Sequence, residues 1–118
     1  MPAYNFQGRF APDIESGRKR QTIRPKRKRP TRPGDTLYLF IGMRTKQCRK
    51  LGEAVCQDVT NIIIEPDMVI TLGGRILGLI EANELARADG FVSLGEFYVF
   101  FEERYGVPHE VELELIKW

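Results

Sequence analysis

Within the stretch Gly17-Arg18-Lys19-Arg20-Gln21-Thr22-Ile23-Arg24, an ammonium, a hydroxyl and a guanidinium lie close enough along the chain to share one ligand. Gly17 tolerates the left-handed backbone that ends a helix, so Lys19 and Thr22 would follow a turn, three residues apart. In a straight strand these two would face opposite sides. A bend between them would bring the amine and the hydroxyl together, and Thr22 and Arg24, two apart, would share a strand face. Such a group suits a small anionic or polar ligand, with Arg18 as a further cation. A plainer reading stays open: Lys19 as one more solvated member of a basic run, Thr22 as a strand residue, and Asp89, ahead of Gly90, as a residue suited to a helix end.

A second set of cations is Lys26, Arg27, Lys28 and Arg29, with Arg32 close behind. Clustered cations gain affinity for phosphates by releasing condensed counterions, whatever base sequence is bound. Arg44, Lys46, Arg49 and Lys50 follow an expected strand that carries Tyr38 and Phe40, and would extend the first set into one positive rim. The formal net charge of +2 conceals an asymmetry: residues 1–50 hold 14 Lys/Arg against three acids, a balance of +11, and residues 51–118 hold four against 13, a balance of −9. The first half is therefore the expected anion-binding face. The implied partner is a nucleic acid, RNA or DNA. A protein that docks on the acidic half is a third reading.

Positioning these residues falls to short elements. Residues 11–16 can form a short helix with Pro12 in its first turn and Gly17 as its stop. Prolines forbid a helix through residues 18–32, which read as the start of a strand followed by an exposed basic loop at 25–33. Pro33-Gly34-Asp35 signals a turn before the strand 36–41; residues 53–64 and 68–72 look like two more strands joined by a turn, and 75–80 like a short one. Helical signals gather at 81–89, ending at Gly90, and after Ser93, whose capping box with Glu96 precedes Phe97, Phe100 and Phe101. The alternating run 110–118 closes the chain on a strand. The economical assembly is a single α/β (α+β) domain over residues 1–118, with five to six mixed strands curled round one core and two to three short helices.

Composition excludes several classes. At 118 residues the chain suits one domain, and no window approaches the roughly 18 apolar residues of a membrane span. A cytoplasmic protein without membrane or cofactor is expected. Two cysteines, Cys48 and Cys56, and one histidine, His109, do not make a four-ligand zinc set, so no metal role is expected and the thiols should be free. Phe97, Phe100 and Phe101 recur at helical spacing among Glu96, Glu102 and Glu103, which fits a core face better than a base-stacking platform. His109 reads as a loop residue, and Trp118 as packing for the last strand.

The Gly-x-Lys of Gly17 and Lys19, followed by Thr22 and Arg24 after a short helix, resembles the ASCH motif. Ala86-x-x-Asp89-Gly90-Phe91 and Leu115-Ile116-x-Trp118 resemble later segments of that family in order and spacing. The resemblance spans nearly the whole chain and is to the small single-domain bacterial or phage-type members. It implies a PUA-like β-barrel and an RNA- or nucleotide-binding role through Arg18, Lys19, Arg24, Lys26, Arg27, Lys28, Arg29, Arg44 and Lys46. In one branch it implies an amidohydrolase that removes the acyl group from N4-acetylcytidine or a related nucleoside. The positions matching that branch's Lys, Thr and acid are Lys19, Thr22 and Asp89, with Asp where the branch carries Glu. Lys19 would then accept the proton of Thr22, Thr22 would attack the amide carbonyl, and Asp89 would orient the lysine.

Overall fold

Alternation buries Leu37 and Leu39 from one face of β3 (Thr36–Ile41), and β-branched and aromatic neighbours suit that pleated, half-covered surface. In a computed structural model, which describes residues 2–118, β3 is the middle strand of a three-stranded sheet. It pairs in parallel with β1 (Ala3–Phe6) and antiparallel with β4 (Arg49–Val55). A second sheet contains β2 (Gln21–Pro25), β5 (Asp58–Glu65), β6 (Val69–Leu72), β7 (Arg75–Ile76) and β8 (Leu113–Lys117). Its order is β2-β8-β5-β6-β7, with every neighbouring pair antiparallel. Three α-helices complete the chain: α1 (Ala11–Glu15), α2 (Leu79–Ala88) and α3 (Leu94–Tyr105). The protein is thus a mixed α+β fold, with eight strands in two sheets among the described residues.

That count corrects the five to six strands expected from the sequence. The apolar run 53–64 is two strands in different sheets. At the corner Cys56 is buried, its N–H donates to Asp35 O at 2.8 Å, and the Gln57 N–H donates to Lys117 O at 2.8 Å. The strand expected over 75–80 stops at Ile76, because Gly78 N-caps α2 two residues before the expected helix start. Arg75 grips Glu81 at 3.0 and 2.9 Å, which holds that carboxylate in the first turn of α2.

The cap of α3 forms on one side only. Ser93 Oγ accepts from the Glu96 N–H at 3.2 Å, while the Glu96 carboxylate pairs with Arg9 at 3.3 Å instead of returning to Ser93. Phe97 and Phe101 of α3 are buried with Ile62, Leu113 and Leu115 in one core. Trp118 meets Phe6 edge-on, ring centroids 6.2 Å apart, and so joins the end of β8 to β1 across the sheets. His109 does more than occupy a loop. Its Nε2 accepts from the Ile64 N–H at 3.1 Å and its Nδ1 lies 2.7 Å from Val111 O, which stitches the segment before β8 onto β5.

Between β1 and β2 the two sheets are joined by side chains. Arg24 Nη2 donates to Asn5 O at 2.6 Å, and Arg27 Nη2 donates to Ala3 O. The basic loop is tied down further by the buried Tyr4 hydroxyl against Thr31 Oγ1 at 2.5 Å and by the Arg32 N–H to Asp35 Oδ2 at 2.9 Å.

Candidate functional site

After α1, Gly17 turns the chain at φ +81° and the Lys19 N–H donates back to Asp13 O at 2.9 Å. β2 begins only at Gln21, so Lys19 stands before the strand and is free of its alternation. This is the bend that lets Lys19 and Thr22 line the same cleft, although they are three residues apart. Gln21 lies between them in sequence, is buried as well, and donates to Leu85 O at 3.4 Å and to Asp89 Oδ1 at 3.2 Å.

Asp89 arrives from the end of α2, its N–H held by Leu85 O at 3.0 Å. Lys19 Nζ lies 2.5 Å from Asp89 O and 3.3 Å from Asp89 Oδ1, and the two side chains are only 3% and 4% exposed. The next residue must be glycine. Gly90 has φ +98°, and a Cβ there would fall 2.7 Å from Phe10 Cδ1 and 3.3 Å from Lys19 Cδ. That close approach seats Phe10 against the lysine, whose Nζ lies 5.0 Å from the Phe10 centroid and 5.7 Å from that of Phe6.

These residues floor a narrow, open-mouthed cleft. Aromatic side chains wall it: Phe6 and Phe10 near the N-terminus, then Phe91, Phe100 and Tyr105. Phe91 stands at the centre of an edge-to-face cluster with Phe10 at 5.5 Å and Phe97 at 5.6 Å, which fixes the wall's shape. Arg24 enters from β2, its Nε donating to Thr22 Oγ1 at 2.8 Å and its guanidinium 4.9 Å from the Phe6 centroid. The shared strand face expected for Thr22 and Arg24 is therefore made.

Burial governs the electrostatics. It pushes the Lys19 amine below its ordinary value, with the Asp89 carboxylate only partly opposing. It pushes the Asp89 carboxyl up, against the opposing pull of Lys19 and Gln21. Arg24 is also pushed down by burial. Each group is drawn toward neutrality because desolvation penalises its charged form. The cleft therefore offers hydrogen-bond donors and acceptors on its floor and flat apolar faces on its walls, which suits a planar, polar-edged ring.

The remaining cations are distributed unevenly. Arg27, Lys28 and Arg29 are exposed on the loop after β2, and Arg44 and Lys46 on the turn after β3. The Met43 N–H donates to Asn5 Oδ1 at 2.9 Å, so both sets meet β1. Arg18 pairs with Asp13 at 3.1 Å and is not among the cleft residues, and Lys26 lies 3.9 Å from Glu112. Arg49 and Lys50, expected to extend the rim, pair with Glu15 and Glu53.

Sequence reasoning did not single out Gln21, Asn5 or Arg104, and it assigned Phe100 wholly to the core. Phe100 and Tyr105 are half-buried and Arg104 exposed, all on the side of α3 that reaches the cleft. Gln21 carried a faint signal, an uncharged amide inside a basic run. Among the described residues no helix is long and apolar enough to cross a membrane, and no three His, Cys, Asp or Glu gather as a metal site. Cys48 is exposed, Cys56 buried, and both are free thiols. Compared with known proteins, the chain matches no family model, no curated protein and no solved structure.

Proposed function

We propose that the chain is an ASCH-type, PUA-like domain that binds RNA or a modified nucleoside. In this reading the cleft takes a base and the cations around β1 take phosphate. One observation carries it: a buried lysine–aspartate pair with a glutamine on the aspartate, at the foot of an aromatic-walled cleft. Such a floor could read the polar edge of a base that enters between the aromatic walls. The two sheets would form the open pseudo-barrel of that fold, bridged between β1 and β2 by Arg24 and Arg27 in place of a strand ladder. The expectation of a cytoplasmic protein belongs to the same reading.

A second reading is hydrolysis of an acylated cytidine, favoured by the placement of Lys19, Thr22 and Asp89 along one cleft. A neutral amine can give its two N–H bonds to Asp89 O and Oδ1 and keep its lone pair for the Thr22 proton. Thr22 Oγ1 would then attack the amide carbonyl, the ammonium of Lys19 would protonate the departing N4 amine, and water would release the acyl group from Thr22. Asp in place of Glu is no obstacle to holding the lysine, since Asp89 Oδ1 lies 3.3 Å from Nζ.

Titration of the purified protein with RNA, cytidine and N4-acetylcytidine at several salt concentrations tests both. RNA affinity should fall as salt rises, and insensitivity to salt would sink the phosphate argument. Acetate release by the wild type, absent in Thr22→Val, would establish the hydrolase. Binding without release would leave the domain as a reader.

A further inference from the structure

The two arginines that bridge the sheets form a register. Arg24 and Arg27 donate to the carbonyls of Asn5 and Ala3 along the free edge of β1, whose other edge is taken by β3. Those carbonyls lie two residues apart, a rise of about 6.6 Å along a strand. Both guanidiniums stand over Tyr4, at 5.5 and 4.2 Å from its centroid, and Arg24 also over Phe6 at 4.9 Å. A guanidinium has five N–H donors. Arg24 uses two on Thr22 and Asn5, and Arg27 makes one such bond, to Ala3 O. Neither has an ion pair with a carboxylate among the described residues. Beyond Arg27 the ladder opens into a surface basin lined by Pro2, Lys28, Arg29, Thr31 and Asp35. Its one carboxylate, Asp35, already accepts the Arg32 N–H.

We propose that this edge of β1 is a track for the sugar–phosphate backbone of a single-stranded nucleic acid: one base enters the cleft, and the adjoining phosphates lie on Arg24, on Arg27 and in the basin beyond. The inference rests on the cleft reading above and adds a direction and a length to it. A base must leave any stack to reach Lys19 and Asp89, which favours a single strand over a duplex. Anchored to main-chain carbonyls and stacked on rings, the two guanidiniums are already ordered, so little side-chain freedom is lost when phosphate binds. The ligand chemistry is the phosphodiester, which RNA and DNA share.

The test is calorimetric titration of the full chain with the four mononucleotides, with random-sequence di- and tetranucleotides as RNA and as DNA, and with a duplex of the same length. Tetranucleotides should bind about tenfold or more tighter than mononucleotides, and salt slopes should steepen by about 0.7 for each phosphate engaged. The Lys28→Ala/Arg29→Ala variant, altered on the exposed loop away from the cleft, should lose much of that gain. Arg27→Ala should lose it as well, with the unfolding temperature of both variants checking the fold. A stronger RNA arm would support the track with ribose contacts, and equal arms would support it through phosphate alone. Affinity independent of length, or equal affinity for duplex, would overturn the track and leave the cleft reading standing. No binding of any mononucleotide or oligonucleotide would overturn the cleft reading and the track together.

Discussion

Lys19 and Asp89 are the residues on which structure and chemistry compete most directly. Removing one member of a buried ion pair leaves the other uncompensated, at a cost of about 3–5 kcal/mol, whereas replacing both by apolar groups is often neutral or stabilising. Lys19→Met and Asp89→Leu should each lower stability by that order in urea unfolding, and the double variant should recover most of it. Loss of ligand binding in the recovered double variant would then report function, not unfolding. The pH dependence has two limbs. Burial lowers the folded Lys19 value below its ordinary 10.5, so its contribution is present above 10.5 and is lost as pH falls through the folded value. Burial raises the folded Asp89 value above 3.8, so its contribution is present below 3.8 and is lost as pH rises through the folded value. Both slopes should vanish from the stability–pH curve of the double variant. If they persist there, other groups are their source.

At the scale of elements, the junction of α2 with the following turn decides the cleft's depth. Gly90→Ala places a methyl against the Phe10 ring and forces an L-residue to φ +98°. A destabilisation of about 1–3 kcal/mol should follow, read from thermal unfolding, together with weakened ligand binding as Phe10 and Lys19 are displaced. Unchanged binding would mean that the seating of Phe10 does not shape the site. The elements themselves were partly legible in sequence. The helix stop at Gly17, strand 36–41, the Ser93 cap and the final strand follow from local propensity and capping. The corner at Cys56-Gln57 was not, because it depends on Asp35 and Lys117, distant in sequence, and the early start of α2 was missed although its Gly78 cap and Glu81 are local.

Over the whole molecule, the charge asymmetry converges on β1. Asn5 receives Arg24 on its carbonyl and the Arg44 turn on its side chain, which brings the two basic segments to one strand. Arg44→Ala/Lys46→Ala should weaken RNA binding and reduce its salt slope by about 0.7 for each phosphate no longer neutralised, measured by anisotropy across a salt series. An unchanged slope would exclude that turn from the interface. Part of the acidic balance of the second half is met by exposed cations of the first, Glu96 by Arg9 and Glu112 by Lys26.

The sequence by itself determined the class of fold and the separation of charge, because capping, alternation and net charge are local or additive properties, and the resemblance singled out the trio Lys19, Thr22 and Asp89 as worth testing. Only the tertiary structure decided that the trio lines one cleft. Bringing Asp89 to Lys19 requires the turn after α2 to pass close against Phe10, which glycine at 90 permits because it has no Cβ to meet the ring. Gln21, Phe100 and Tyr105 joined the site for the same reason. A side chain's neighbours across 60 or 80 residues are set by packing, which one-dimensional periodicity does not record.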